Sequence, residues 1–177
     1  MSKDDVTVPL VRSILLDILP LVSVIVLILM TVLPDIIPSI ARLGALWPLI
    51  GVTYWTLTRP RNFGIPSAFF LGLLMDIVSF VPLGVHAFLF VMMQTVLKRQ
   101  RRFLMGQSFW VLWTAYALLI LTVYTSLFIF LSPVQSSATN FAEGLVSVAI
   151  SWACAPFIVW ILGYLNSIMD LFDEPIA

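Results

Sequence analysis

The stretch that decides the fold runs from Arg59 to Phe103 and reads RPRNFGIPSAFFLGLLMDIVSFVPLGVHAFLFVMMQTVLKRQRRF. Basic residues bracket two apolar runs, and a short uncharged turn joins the runs. Because backbone groups in hydrocarbon must be satisfied within the segment itself, both runs are predicted to be helices. The stretch therefore predicts a transmembrane helical hairpin whose two basic ends lie on the cytoplasmic side.

The composition extends this prediction to the whole chain. Of the 177 residues, 61% are hydrophobic and only 10% are charged, whereas the surface of a soluble domain of this size needs far more charge. We therefore expect an all-α integral membrane protein with one domain over residues 1–177, since about six spans of roughly 20 residues use nearly the whole length. The spans are expected at about 13–33, 36–57, 63–80, 83–97, 109–131 and 141–162.

The lysines and arginines predict the orientation of these spans. With both termini inside, eight of the nine fall in inner segments, and only Arg42 falls in an outer loop. This bias sets topology, so we expect an N-in, C-in bundle. The net charge of +0 gives no reason to expect a nucleic-acid partner, and the single cysteine, Cys154, can form neither an internal disulfide nor a cysteine-based metal site.

Asp76 is the sharpest candidate for chemistry because it is an acid inside an apolar run. Helical spacing places it on one face with Ala68, Gly72 and Ser79, where small residues allow a neighbouring helix to approach. One interpretation is a proton, ion or ligand site. The other is structural, with the carboxyl accepting hydrogen bonds from backbone amides near Gly84–His86 and fixing the turn. The candidate hairpin motif comprises Gly72, Asp76, Ser79, Pro82, Gly84 and His86.

Other polar positions have simpler explanations. His86 is the only histidine and cannot assemble a metal site without further ligands, so no metal and no cofactor are expected. Asp17 is interpreted as a near-surface acid paired with an arginine, and Glu143 as an acid at a helix N-terminus. We also find no Gly-x-Ser-x-Gly, His-Glu-x-x-His or P-loop motif, and we expect a protein that is not an enzyme.

Two further sets of residues are candidates for contacts with partners. Small residues form a stripe on the sixth span that predicts a packing face for another helix, in this chain or in a partner; they are Gly144, Ser147, Ser151 and Ala155. The cytoplasmic basic loops are first of all topology determinants, with contacts to anionic lipid headgroups or an acidic partner also expected; their residues are Arg59, Arg61, Lys98, Arg99, Arg101 and Arg102.

The hairpin resembles the MreD family of bacterial rod shape-determining membrane proteins. The resemblance rests on Arg59-Pro60, on the run from Gly72 to Ser79, on Leu83-Gly84 and on the basic close at Lys98–Arg102. Size and the six-span pattern agree along the whole chain. The chain departs from the family pattern at Phe80-Val81-Pro82, where small or polar residues are expected.

The resemblance implies a non-catalytic scaffold of the elongation complex in the bacterial inner (cytoplasmic) membrane, which supports lateral peptidoglycan synthesis and rod cell shape. The implied partners are MreC, the cytoplasmic filament protein MreB, a RodA-type glycosyltransferase, its penicillin-binding transpeptidase and membrane lipid. The family's six-helix arrangement is also similar to the substrate-binding subunits of energy-coupling-factor transporters. That similarity leaves a vitamin-uptake subunit as the alternative function, although the first span lacks the Ala-x-x-x-Ala pattern by which such subunits dock.

Overall fold

The computed structural model describes residues 18–31, 46–131 and 141–173 of the chain. Within these ranges every regular element is an α-helix and no strand occurs. We number the six helices of this part of the chain in order: α1 is Ile18–Thr31, α2 Trp47–Thr58, α3 Ile65–Val78, α4 Val85–Leu104, α5 Phe109–Leu131 and α6 Phe141–Asp173. The prediction of an all-helical protein is thus confirmed for the described ranges.

The helix bounds differ from the expected spans mainly at the basic cluster. Lys98–Arg102 was expected in a loop, but α4 continues through it and ends at Leu104. The loop assignment of these residues is therefore wrong. Lys, Arg and Gln are good helix formers, and cations in the last turn interact favourably with the helix dipole. In the same way α6 extends beyond the expected end of the sixth span to Asp173.

Two helical segments are long and apolar enough to cross a membrane, Trp110–Ile129 and Val148–Asp170. Ile18–Thr31 and Ile65–Val78 are apolar but shorter, and 14 residues of α3 span only about 21 Å at 1.5 Å per residue. Crossing of the membrane by all six helices and the N-in, C-in orientation stay predictions. The expected starts of the first two spans, residues 13–17 and 36–45, lie outside the described ranges.

Helix α2 is the centre of the bundle. Its residues Leu49, Val52 and Trp55 are at most 2% exposed, and it packs against α4 and α6. On the α1 side, the Trp55 indole N–H donates to Ser23 Oγ at 2.8 Å. A Cβ added to Gly51 would lie 2.9 Å from Leu27 of α1, so the glycine allows α1 and α2 to approach closely.

The other helices form two pairs around α2. Helices α3 and α4 make the most extensive contact in the described chain and form an antiparallel hairpin. Helices α5 and α6 pair through Trp113 and Trp152, whose rings stack at 4.5 Å between centroids. Each indole N–H donates to the backbone carbonyl of the other tryptophan at 3.3 Å. In contrast, α4 contacts α5 only lightly, and a cleft remains between them.

Candidate functional site at the hairpin turn

The turn between α3 and α4 begins with a complete helix C-cap. The Val81 N–H donates to the Asp76 carbonyl at 3.1 Å, and the Phe80 N–H donates to the Ile77 carbonyl at 3.4 Å. These two bonds define a Schellman motif, whose central residue adopts a left-handed conformation that glycine usually occupies. Here that residue is Phe80, with φ of 52° and a side chain that is 95% exposed. The departure from the family pattern thus falls at the one non-glycine residue with positive φ in the described chain.

The second half of the turn is shaped by Pro82 and Gly84. The Pro82 carbonyl accepts from the Val85 N–H at 3.4 Å, and the Gly84 carbonyl accepts from Phe88 at 2.9 Å, which starts α4. Gly84 has φ of 105°, a backbone conformation that residues with a side chain rarely adopt. Ser79 is the C-cap residue of α3, and its N–H donates to Met75.

The Asp76 carboxylate joins the two helices across this turn. Its Oδ2 accepts from the Gly84 N–H at 2.8 Å, and its Oδ1 accepts from the His86 N–H at 2.8 Å. These contacts are the ones that the structural interpretation of the sequence predicted. They satisfy free N–H groups at the N-terminus of α4, where the helix dipole also favours negative charge.

His86 completes the environment of Asp76. Its Nδ1 lies 2.8 Å from Asp76 Oδ1, and because a carboxylate only accepts, the imidazole must donate from Nδ1. The Asp76 side chain is fully buried and His86 is 7% exposed, and the His86 ring meets Phe90 edge to face. The acid is thus enclosed and hydrogen-bonded entirely by the first residues of α4.

Gly72 sets the distance between the helices of the hairpin. A Cβ added there would lie 2.3 Å from Ala87 Cα and 2.6 Å from Ala87 N, which no side chain can do without moving the α4 backbone. The fully buried Ala68 lies one turn earlier on the same face. The small-residue face predicted from spacing is therefore the face on which α3 and α4 touch.

A polar residue that the sequence analysis did not single out ties the other end of the hairpin. Gln94 is fully buried, and its Nε2 donates to the carbonyls of Phe63 and Gly64 at 2.9 and 3.1 Å. These carbonyls precede α3, so Gln94 attaches the start of α3 to the middle of α4. The available signal was an uncharged amide inside an apolar run, which must find partners in a membrane.

The basic residues gather at the end of the bundle opposite the turn. Arg59 follows α2 and pairs with Asp170 near the end of α6, and its Nε donates to Asn166 Oδ1 at 2.9 Å. Arg101 near the end of α4 donates to the Leu57 carbonyl at 2.6 Å. The structure therefore brings the ends of α2, α4 and α6 together, which fits the expectation that they share one side of the membrane.

The remaining cations of this end are more exposed. Arg61, Arg99 and Arg102 are exposed, and Lys98 is half-buried. Desolvation by partial burial lowers the pKa of the Lys98 ammonium, because burial disfavours its charged form. Of these cations, Arg61 lines the same cavity as Arg59, Arg101, Asn166 and Asp170.

The small-residue stripe of the sixth span has a different environment from the one expected of a partner site. Ser151 is fully buried and Ala155 is 2% exposed, so both are covered by this chain. At these two positions the face packs within this chain, which is one of the two alternatives that the sequence left open, and contact of the stripe with a partner helix stays a prediction. Gly144 and Ser147 lie in α6, but their side chains, and that of Glu143, are outside the described part, as is Asp17.

Within the described ranges, no group of three or more His, Cys, Asp or Glu side chains could hold a metal ion. Asp76 and His86 are the two titratable groups at the turn, and they bind each other. This arrangement therefore supports a structural role, since it links two helices through a buried carboxylate whose hydrogen bonds are all made at the turn.

Comparison with known proteins identifies the family of the chain. The model of the family described as rod shape-determining protein MreD matches residues 12–168. No curated protein and no solved structure matches the chain, so the similarity of fold to energy-coupling-factor subunits stays a prediction.

Proposed function

Because the chain belongs to the MreD family of rod shape-determining membrane proteins, we propose that it is a non-catalytic scaffold of the elongation complex in the bacterial inner membrane. The family match over most of the chain carries this proposal. In it, the bundle supports lateral peptidoglycan synthesis by holding other proteins in place.

We propose that the bundle binds MreC and links the cytoplasmic MreB filament to a RodA-type glycosyltransferase and its penicillin-binding transpeptidase. Two features support a structural role. The hairpin is fixed at both ends by buried polar bonds, through Asp76 at the turn and Gln94 at the other end. The exposed cations Arg61, Arg99 and Arg102 lie together at one end of the bundle, where an acidic surface of a cytoplasmic partner or anionic lipid fits by charge.

Affinity purification of the tagged full-length chain in mild detergent tests this function. We expect MreC to be recovered with the wild-type chain. Recovery should fall strongly for Gly72→Leu, which forces α3 and α4 apart, at matched levels of the chain in the membrane. Gly163→Ala is the control, because a Cβ there meets only the Tyr54 hydroxyl at 3.8 Å.

Two outcomes would contradict the proposal. One is an intact wild-type chain that brings no MreC with it under conditions where a known membrane complex survives. The other is recovery of an ATPase module in place of MreC, which would favour the uptake-subunit alternative.

A further inference from the structure

The light contact between α4 and α5 leaves a cleft of about 440 Å³. Its walls are apolar, and a few polar groups lie at its margins. The side chains that line it include Leu89 and Met93 of α4, Ala115 and Tyr116 of α5, and Thr53 of α2. Along α5 the lining runs from Leu112 to Ser126, which corresponds to about 21 Å of helix. The size is that of a ligand site.

Tyr116 supplies an unused hydrogen-bonding group in this cleft. Its hydroxyl is buried and has no hydrogen-bond partner within the described part of the chain. A buried hydroxyl without a partner costs free energy, so an occupant with an acceptor oxygen at this position would be favoured.

Positive charge lies at one end of the cleft. Gln100 lines that end, and the exposed Arg99 precedes it. Arg99 lies seven residues after Met92, which also lines the cleft, so helical spacing places Arg99 at the edge of the cleft. Gln100 is about 6 Å of helix from the end of α4, whereas Tyr116 is about 10 Å from the start of α5. Because the connection between these helices is short, the Tyr116 backbone lies roughly one turn deeper than Gln100.

We propose that this cleft binds one anionic membrane phospholipid. Its acyl chain would lie along the apolar wall past Met93 and Leu89, and an ester carbonyl would accept from the Tyr116 hydroxyl. Its phosphate would lie at the basic end beside Arg99. The order of one cation, one donor and an apolar channel follows the order of groups in such a lipid.

The size of the cleft favours a lipid over a helix of a partner protein. A helix about 10 Å across and as long as the cleft would occupy roughly 1600 Å³, several times the volume that is present. An acyl chain is far thinner and bends to fit. Lipid binding in this cleft requires only this chain and does not depend on which proteins the chain assembles with.

Native mass spectrometry of the purified full-length chain tests the proposal. The probes are phosphatidylglycerol and phosphatidylcholine with identical acyl chains, titrated separately. We expect one lipid retained per chain, with phosphatidylglycerol bound about fivefold more tightly, as expected for one arginine near the headgroup. Arg99→Gln should remove the preference and keep the binding of both lipids. Arg102→Gln, on the face of α4 opposite the cleft, is the matched control and should keep the preference.

Matched variants test the cleft itself. Ala115→Trp places an indole in the cleft and should abolish retention, whereas Leu121→Trp places an indole on α5 at a position that is 40% exposed and does not line the cleft, and it should keep retention. Tyr116→Phe should weaken retention about fivefold, as expected for one hydrogen bond, without changing the fold. Equal binding of the two lipids by the wild type, or unchanged retention by Ala115→Trp, would overturn the proposal. If Ala115→Trp lost a co-purifying protein but kept the lipid, that result would also overturn the proposal.

Discussion

Asp76 is a buried acid whose acceptor oxygens are both used within the chain. Two backbone amides of α4 and the His86 imidazole donate to them, and the donors are fixed by the helix that they begin. A buried charge is costly unless it is paired and hydrogen-bonded. The local sequence meets that condition, because the chain returns to Asp76 only eight residues later at Gly84.

Two replacements of Asp76 should destabilise the hairpin to different extents. Asp76→Asn keeps one acceptor but places an NH₂ group against a backbone N–H, which should cost about 1–3 kcal/mol. Asp76→Leu leaves the Gly84 amide and both His86 donors without partners and should cost more. The thermal unfolding midpoint in mild detergent measures both variants. Asp170→Asn is the control, since it removes an ion pair whose carboxylate is 61% exposed and such a pair contributes at most about 1 kcal/mol. A midpoint for Asp76→Leu equal to that of the control would contradict the structural role.

Phe80 offers a prediction with the opposite sign. A non-glycine residue in the left-handed region is unfavourable by roughly 1–2 kcal/mol, and the exposed Phe80 side chain contributes little packing in return. Phe80→Gly should therefore raise the stability by about 1 kcal/mol after the greater backbone entropy of glycine is included. The same detergent unfolding measures it. Leu83→Gly, in the same turn and without positive φ, should give no gain, and a gain of equal size there would refute the explanation.

At the scale of elements, the α3–α4 hairpin depends on backbone contact. Gly72→Ala should destabilise it by about 1–3 kcal/mol, because the added methyl group overlaps the Ala87 backbone and α4 must shift. In α6, the methyl group added by Gly163→Ala meets only the Tyr54 hydroxyl, at an ordinary contact distance of 3.8 Å. This variant should be neutral or stabilising, since alanine is the better helix former. Both variants add one methyl group to a glycine, and their unfolding midpoints in mild detergent are compared. A similar midpoint for both would show that α4 yields without cost.

Much of this element could be predicted from the sequence, and the missing part has a physical cause. The apolar run, the Gly72–Asp76 spacing and the turn signals at Pro82 and Gly84 are local features, and helix periodicity reads them directly. Gln94 was missed because its partners, the carbonyls of Phe63 and Gly64, lie about thirty residues away in the chain. Only the packed hairpin brings them together.

The same contrast holds for the ends of helices and for faces. The sequence placed α5 at residues 109–131, as observed, because its apolar run is uninterrupted. It ended the fourth span before Lys98 and the sixth at residue 162, because charge marks where the bilayer ends but not where a helix ends. Ser151 and Ala155 were recognised as a packing face, but a one-dimensional pattern does not identify the neighbour, which here belongs to the same chain.

At the scale of the whole molecule, the polar bonds make the two ends of the bundle unlike. Arg59 and Asp170 join the segment after α2 to the end of α6, and Arg101 joins the end of α4 to Leu57. The hairpin turn with Leu83 lies at the opposite end of α4. If the bundle crosses the membrane as the distribution of lysine and arginine predicts, these two ends lie on opposite sides of the bilayer.

Cysteine labelling tests this arrangement. Leu83 at the turn is 71% exposed. In a Cys154→Ser background, Leu83→Cys should therefore react with a membrane-impermeant maleimide added to intact spheroplasts. Arg61→Cys and Arg102→Cys should react only after permeabilisation, because both lie at the basic end and eight of the nine lysines and arginines are predicted to be inside. Both basic positions must behave alike, since Arg59 and Arg101 bind neighbouring parts of the same end. Labelling of Arg102→Cys from outside would reverse the orientation. Labelling of Leu83→Cys and Arg102→Cys from one side would show that the hairpin enters the membrane without crossing it.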